Sequence, residues 1–271
     1  MTTLYYFPGV CGRSLVLRLL LVVGPCTPFL TLLSASNHGN PRRTQLRGPW
    51  GLFTRCDHPN LPPSLFHHIQ RTHQDSGEAF EEVLGGDPIP DPTCIFKPAI
   101  KLPNGVFLSQ TCACLEGLAE AYGYEAPADK ALKAYQAQLN LYDIFDQAVG
   151  KRIKKEVATT EQAAAFCEGR VRQFFAAAAA GFELYPGGAL FTGDDAKPTA
   201  PDFQLLATVL QLGEFVGTAN VDAVLGAFPA LGAAVAAMKA RPRIKAWLEG
   251  GMGGLDLMPP FLRASELKTA E

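Results

Sequence analysis

The stretch TLYYFPGVCGRS, residues 3–14, holds the first side chains of the chain that can do chemistry. The hydroxyl of Tyr6 can donate a hydrogen bond to an anion, whereas Cys11 can attack as a thiolate. The guanidinium of Arg13 can hold a carboxylate. A phenol and a thiol imply different reactions, and this stretch by itself leaves both open.

The two adjacent tyrosines, Tyr5 and Tyr6, lie in a predicted strand, which separates their roles. Residues 3–7 are largely aromatic and precede a Pro-Gly pair, which predicts a short strand. Successive side chains of a strand point to opposite faces, so Tyr5 and Tyr6 cannot both face one site. We expect Tyr6 to face the site and Tyr5 to be structural. Cys11 precedes a predicted apolar helix over 14–23, whose N-terminus would lower the pKa of its thiol.

Outside residues 25–76, the chain is predicted to form a small α/β unit followed by helices. The pattern indicates strands at 79–83, 98–102 and 106–108, and helices at 110–122, 128–149, 160–180, 201–215, 229–239 and 243–248. In the sequence TAPD, the threonine can cap a helix, the proline suits its first turn and the aspartate can return the hydrogen bond. We therefore expect a helix to begin there and to lie at the centre of the helical part.

Residues 25–76 differ in composition from both flanks. They contain seven of the 21 prolines, and no helical or alternating period persists among them, which predicts a largely irregular insertion. The short fixed ligand spacings of zinc sites are absent. We therefore predict no metal site, although all the histidines of the chain lie in this segment: His38, His58, His67, His68 and His73.

Composition narrows the class of protein. The net charge of −2 gives no sign of a nucleic-acid partner or of an anionic membrane surface. Seven cysteines without CxxC pairs are typical of reduced thiols. The opening residues lack the basic region of a signal peptide. These observations predict a soluble, cytoplasmic protein.

Four stretches, taken in order, carry a resemblance to the cytosolic glutathione transferases: LYYFPGVCGRS, KPAIKLPNG, LSQTCACLEGLA, and PTAPDFQLL with FPALGAAVAAMKARPRIKAWL. The likeness covers residues 2–24 and 77–250. Tyr6 followed by Phe7 and Pro8 resembles the tyrosine-type classes, especially the sigma-like ones. Cys11 also gives some likeness to the bacterial beta class.

The resemblance implies a fold and a set of partners. It implies a thioredoxin-like, glutathione-binding domain over 1–123, interrupted by the insertion 25–76, and an all-helical domain over 126–271. It further implies detoxification chemistry by a cytoplasmic homodimer. Glutathione would be a co-substrate rather than a cofactor, and the second substrate would be a hydrophobic electrophile.

The resemblance also implies roles for particular residues. Tyr6 would donate to the sulfur of glutathione, a hydrogen bond worth about 1.5–3 kcal/mol or roughly one to two pKa units of the thiol. Lys97 and Pro98 would form a cis peptide bond whose flanking backbone pairs with the cysteinyl part of glutathione. Gln110 and Thr111, at a helix start, would bind the γ-glutamyl carboxylate.

Other residues are less sharply assigned. Arg13 would pair with an acidic partner inside the first domain or reach the glycyl end of glutathione, and a solvated or structural arginine is favoured over both. Tyr135, Tyr142 and Phe145, on the first long helix of the second domain, would line the site of the electrophile.

Three functions compete. The first is a glutathione transferase in which the thiolate attacks an electrophile, with peroxidase or isomerase chemistry as a side activity. The second is a thiol transferase centred on Cys11, which would form a mixed disulfide with glutathione. The third is a binding module with the same fold and no catalysis.

Overall fold

The computed structural model describes residues 1–7, 10–23, 43–48, 51–56, 69–72, 81–84 and 89–269. The histidines on which the prediction about metal rests lie outside these residues. In the described part of the chain, no helix has both the length and the apolar composition needed to cross a bilayer. The cysteines described there with their side chains, at positions 11, 94, 112, 114 and 167, are not disulfide-bonded.

Seven strands form one sheet in the order β2-β3-β4-β5-β1-β6-β7. Their bounds are β1 Thr3–Tyr6, β2 Arg43–Gly48, β3 Gly51–Cys56, β4 Ile69–Thr72, β5 Glu81–Leu84, β6 Ala99–Lys101 and β7 Phe107–Ser109. Strand β1 pairs in parallel with β5 and antiparallel with β6, so it lies inside the sheet. Its last residue, Tyr6, lies at the end of the strand, where the following loop can build a site.

The prediction that residues 25–76 are largely irregular is wrong for three segments. Strands β2, β3 and β4 lie within this range and form an antiparallel ribbon that continues the sheet beyond β5. Strand pairing is decided by main-chain hydrogen bonds to neighbouring strands, which leave little trace in the periodicity of one short segment. The rest of 25–76 lies outside the described residues.

Nine α-helices occur in the described part. Their bounds are α1 Leu15–Val23, α2 Thr111–Tyr122, α3 Ala131–Ile153, α4 Thr160–Phe166, α5 Arg172–Phe182, α6 Ala200–Val216, α7 Thr218–Leu225, α8 Pro229–Ala240 and α9 Pro242–Glu249. Sequence analysis missed α7 and predicted one helix over 160–180. The structure divides that helix with a π-helical segment, Cys167–Val171.

Two buried helices connect the sheet to the helical part. Helix α1 follows β1 and is buried from Leu15 to Val22. It packs against α2, α6 and α9. Every residue of α6 except Leu210 and Glu214 is buried, and α6 packs against α3, α7 and α8 as well as α1. The predicted position of α6 at the centre of the helical part is confirmed.

The start of α6 forms the predicted capping box. The main-chain N–H and the hydroxyl of Thr199 donate to Asp202 at 2.7 and 2.9 Å. The N–H of Phe191, from the preceding loop, donates to the other carboxylate oxygen at 2.8 Å. Burial raises the pKa of Asp202 to about 6, although these three donors act in the opposite direction. The carboxylate thus joins the helix start to the loop before it.

We expect Asp202→Asn to lower the free energy of unfolding by about 2–3 kcal/mol at pH 7. The amide places an N–H₂ group against donors that need an acceptor, and no water can compensate at a position that is 0% exposed. Denaturant unfolding measures the change. Asp194→Asn is the matched control, because Asp194 accepts one N–H at an exposed turn. Equal effects of the two substitutions would contradict this account.

Candidate active site

Tyr6, the last residue of β1, presents a buried hydroxyl to the loop that follows it. Its oxygen accepts a hydrogen bond from the main-chain N–H of Arg13 at 2.8 Å, and the side chain is only 5% exposed. Among the residues that the structure describes, the proton of this hydroxyl has no acceptor. The hydroxyl oxygen of Tyr6 is therefore held in place by the N–H of Arg13, while its own O–H donates to no described residue.

The surroundings of Tyr6 keep it protonated. Burial raises the pKa of Tyr6, an effect only partly offset by the N–H of Arg13 and by the charges of Arg18 and Arg13. The guanidinium carbon of Arg18 lies 5.5 Å from the centre of the Tyr6 ring. A phenol whose pKa is above its ordinary value remains a hydrogen-bond donor throughout the neutral range.

Gly12 allows the loop to pass close to this hydroxyl. Its φ angle is +42°, in the left-handed region that glycine adopts most readily. A β-carbon at this position would overlap the Tyr6 hydroxyl and lie 3.3 Å from the ring carbon that bears it. The absence of a side chain at position 12 is thus a condition for the contact between Tyr6 and Arg13.

The loop is held from the other side by the C-terminal tail, residues 250–269. The N–H of Cys11 donates to the carbonyl of Asp256 at 2.7 Å, and the N–H of Gly12 donates to that of Leu257 at 3.0 Å. An ion pair of 2.7 Å between Asp256 and Arg263 braces the tail. Segments that are more than two hundred residues apart in the chain thus share main-chain hydrogen bonds at the site.

Arg13 does not pair inside the first domain. Its guanidinium forms a hydrogen-bonded ion pair with Asp146 of α3, in the helical domain. Both side chains are about half exposed, so solvent limits the contribution of the pair to at most about 1 kcal/mol. The ion pair agrees with a structural role for Arg13, but its acidic partner lies in the second domain and not in the first.

Tyr142 and Thr111 lie beside this ion pair. Burial raises the pKa of Tyr142, while the charge of Arg13 and the hydroxyl of Thr111 lower it. The Thr111 hydroxyl oxygen is buried, yet it makes no hydrogen bond of normal geometry to any described residue. It is therefore near the Tyr142 hydroxyl without being satisfied by it. A buried hydroxyl without a partner of normal geometry is uncommon in folded proteins and indicates a special role.

Lys97 and Pro98 form the predicted cis peptide bond. Pro98 is buried and precedes β6, and the ammonium of Lys97 lies 5.6 Å from the ring centre of Phe7. The prediction that this bond is cis is confirmed.

Gln110 has an unusual backbone conformation for a residue with a side chain. Its φ is 72° and its ψ 129°, directly before α2. Such conformations cost about 1–3 kcal/mol and concentrate at functional sites. The Gln110 side chain does not cap α2, and the first turn holds no acidic residue. The Cys114 N–H donates to the Gln110 carbonyl at 2.9 Å, so the N–H groups of Thr111, Cys112 and Ala113 are the ones that a helix start offers to an anion.

Cys11 lies within the same loop but is enclosed. It is 0% exposed and directly precedes the short 3₁₀ helix Gly12–Ser14. Its carbonyl accepts hydrogen bonds from the main chain of Ser14 at 2.9 Å and from the Ser14 hydroxyl at 2.5 Å. The local fold thus draws the thiol inward instead of presenting it to solvent.

The three residues expected to line an electrophile site have different environments. Tyr142 is half-buried beside Arg13. Phe145 is 1% exposed and packs on Phe215 in the helical core, so its predicted place in the site is wrong. Helix α3 turns it toward α6 instead of toward the sheet. Tyr135 is an exposed residue near the start of α3.

Sequence analysis did not single out two side chains that touch the loop. Arg18 is 1% exposed and donates to the carbonyls of Val10 and Cys11, each at 3.4 Å. Gln211 of α6 donates to the carbonyl of Gly12. The available signal was a charged or amide residue within an otherwise apolar buried helix, a pattern that indicates a specific partner.

Known proteins resemble this chain in one region by sequence and over nearly all of it by fold. Residues 142–251 match the family model described as the C-terminal domain of glutathione S-transferase. Among curated proteins no match is found. A Pi-class glutathione S-transferase of Onchocerca volvulus matches with a TM-score of 0.59 at 15% identity, covering 97% of this chain and 99% of the other. The structure of NaGST-2 matches with a TM-score of 0.54 at 14% identity, covering 92% and 95%.

At these identities, the likeness to solved structures concerns the fold. It agrees with the arrangement described above: a sheet in which β1 pairs with β5 and β6, followed by helices only. The predicted fold class is confirmed. The chain has a thioredoxin-like N-terminal domain and an all-helical C-terminal domain, and its helical part matches the C-terminal domain of the glutathione S-transferases.

Proposed function

We propose that this protein is a glutathione transferase that conjugates the thiolate of glutathione to electrophilic small molecules. The observation that carries the proposal is the Tyr6 hydroxyl, which is buried and protonated, and whose proton has no acceptor in the described part of the chain. A sulfur anion placed at this hydroxyl would receive that hydrogen bond. The surrounding fold is that of enzymes with this activity.

In the proposed reaction, the thiol of glutathione releases its proton to solvent and the thiolate attacks an electrophilic carbon. A carbon–sulfur bond forms, and the leaving group departs with the electron pair of the bond that breaks. Tyr6 keeps its proton throughout. Its contribution is to stabilise the thiolate by about 1.5–3 kcal/mol, which lowers the pKa of the thiol by roughly one to two units.

Glutathione would lie along the first domain, over residues 1–123. The backbone at Lys97 and Pro98 would pair with its cysteinyl part, and the start of α2 would hold the γ-glutamyl carboxylate. Two features support the second assignment: the unsatisfied hydroxyl of Thr111 and the uncapped N–H groups that follow the strained Gln110. Arg13 would act by linking the loop to Asp146 rather than by direct contact with glutathione.

The electrophile would lie over Tyr6, between the first domain and the helical domain of residues 126–271. Phe7 is 52% exposed next to Tyr6. Tyr142 lies close enough to Arg13 for the guanidinium charge to lower the pKa of its hydroxyl. These rings offer an apolar surface to a hydrophobic substrate. The proposal includes a cytoplasmic homodimer and a role in detoxification, as the resemblance implies.

The test combines binding and turnover. Calorimetry should show that the protein binds glutathione, and conjugation of 1-chloro-2,4-dinitrobenzene should proceed above the uncatalysed rate at pH 6.5. Binding without turnover of any electrophile tested would favour the non-catalytic binding module. Absence of binding would refute the proposal.

Substitution of Cys11 distinguishes the proposed conjugation mechanism from that of a thiol transferase centred on this cysteine. We expect Cys11→Ala to retain conjugation within about twofold, since its buried thiol is expected to be structural. In the native protein, a maleimide should label Cys11 much more slowly than it does after denaturation, as judged by peptide mass spectrometry. Loss of glutathione-dependent activity in Cys11→Ala, with Tyr6→Phe active, would assign the chemistry to the cysteine.

A further inference from the structure

One peptide group connects the Tyr6 hydroxyl to the helical domain. The carbonyl of Gly12 and the N–H of Arg13 belong to the same trans peptide, so they are coplanar and point in opposite directions. The N–H end donates to Tyr6 at 2.8 Å. The carbonyl end accepts from the side-chain amide of Gln211 on α6 and from the main-chain N–H of Leu15.

We propose that Gln211 is a positioning residue for the Tyr6 hydroxyl, acting through the Gly12–Arg13 peptide. The inference rests on the proposed function and extends it to a residue of the helical domain. Gln211 acts on the carbonyl of Gly12, at the opposite end of the peptide from the N–H that donates to Tyr6. It sets the plane of the peptide whose N–H holds the phenol.

The environment of Gln211 makes this contact specific. Its side chain is 2% exposed, so water cannot replace the Gly12 carbonyl as a partner of its amide. It lies on α6, a helix buried along almost its whole length and packed against α3 and α1. A rigid element therefore fixes the position of the donor, and the loop must conform to it.

The hydrogen bond also changes the strength of the next one. A peptide whose carbonyl accepts a hydrogen bond is more polarised, and its N–H donates more strongly, by perhaps 10–30% per bond. A stronger N–H at the phenolic oxygen makes the phenol a better donor to an anion. Gln211 thus affects the orientation and the donor strength of Tyr6 together.

The tail and Arg18 hold different peptides of the loop. Asp256 and Leu257 of the tail accept from the N–H groups of Cys11 and Gly12, which belong to the two preceding peptides. Arg18 donates to the carbonyls of Val10 and Cys11, which belong to the same two peptides. The Gly12–Arg13 peptide is held by Gln211 of the helical domain and, locally, by the N–H of Leu15.

The experiment compares Gln211→Met with Gln204→Met. Gln204 lies on the same helix, is equally buried and donates to the hydroxyl of Thr208 at 3.2 Å, two turns from the loop contact. Both substitutions remove a buried amide. The amide oxygen of Gln204 has no hydrogen-bond partner among the described residues, so we expect the smaller shift of the melting temperature in Gln204→Met. Gln211→Leu replaces the methionine variant if that variant does not fold.

The readout is the pKa of glutathione bound to the enzyme, taken from the pH profile of kcat/KM and from the ultraviolet absorbance of the thiolate. In Gln211→Met we expect this pKa to rise by about half a unit to one unit, with a threefold to tenfold lower kcat/KM at pH 6.5. The glutathione Kd should change less than about twofold, because glutathione does not touch Gln211. Gln204→Met should keep the wild-type profile. A wild-type profile in a folded Gln211→Met would overturn the proposal.

A second readout does not depend on turnover. Hydrogen exchange of the Arg13 amide should be roughly fivefold to tenfold faster in Gln211→Met than in Gln204→Met. If the wild type neither binds nor conjugates glutathione, the proposed function fails. The exchange rate of the Arg13 amide then tests by itself whether Gln211 positions the Gly12–Arg13 peptide. Equal exchange rates in the two variants would then refute the positioning role.

Discussion

Tyr6→Phe should lower kcat/KM for conjugation by about 10- to 100-fold at pH 6.5, the fall expected when a hydrogen bond to the thiolate is lost. The bound thiol would then titrate roughly one to two units higher, so the rate should recover as the pH is raised. The pH profile of kcat/KM measures both effects. Because burial raises the pKa of Tyr6, we expect no second titration from the phenol in the wild-type profile near neutral pH.

Tyr5→Phe is the matched control for this prediction. Tyr5 is the adjacent residue of β1, and its ring lies 6.1 Å from that of Phe107, on the other face of the sheet. Removal of its hydroxyl should leave the pH profile unchanged. A Tyr6→Phe enzyme with the wild-type profile would contradict the assignment of Tyr6 and the proposed mechanism with it.

Gly12→Ala should lower the free energy of unfolding by about 3–4 kcal/mol, a large effect for one added methyl group. Two costs combine at this position. The φ of +42° disfavours alanine, and its β-carbon would overlap the Tyr6 hydroxyl. Denaturant unfolding measures the total, and the conjugation rate should fall with it because the loop must move away from Tyr6.

Two further variants separate these costs. Gly123 also has a positive φ, +76°, but nothing lies within 4 Å of where a β-carbon would be. Gly123→Ala should therefore cost only about 1–2 kcal/mol. Tyr6→Phe removes the overlapping hydroxyl, so the double variant Gly12→Ala with Tyr6→Phe should be more stable than the sum of the single changes predicts. Strict additivity would show that position 12 and Tyr6 do not meet.

Much of the fold could be predicted because its signals are local. The helix start at Thr199 and Asp202 needs only a cap, a proline and an acceptor within four residues, and it forms as expected. Helices α1 and α6 are apolar over most of their length, which predicts burial whatever covers them. The strands beside Pro103 also follow from a short-range turn signal.

Other elements could not be predicted because their signals are not local. Strands β2 to β4 depend on the neighbours to which their main chains pair. The partner of Arg13 depends on how α3 packs against the loop, since Asp146 lies more than one hundred residues away in the chain. Phe145 illustrates the same limit, because one helical turn decides whether a side chain faces the core or a cleft.

Residue types and spacings within a few positions determined that a small α/β unit precedes a helical part and that Tyr6 lies in a first strand predicted over residues 3–7. The thioredoxin-like fold and the cis bond before Pro98 followed from the resemblance to the glutathione transferases, which four short stretches carry. Only the tertiary structure decided how the phenol is held: Gly12 admits it, the tail and Gln211 hold the loop, and Asp146 anchors Arg13. The reason is physical, since the tail, Gln211 and Asp146 belong to the helical domain and meet the loop only after the two domains have packed together.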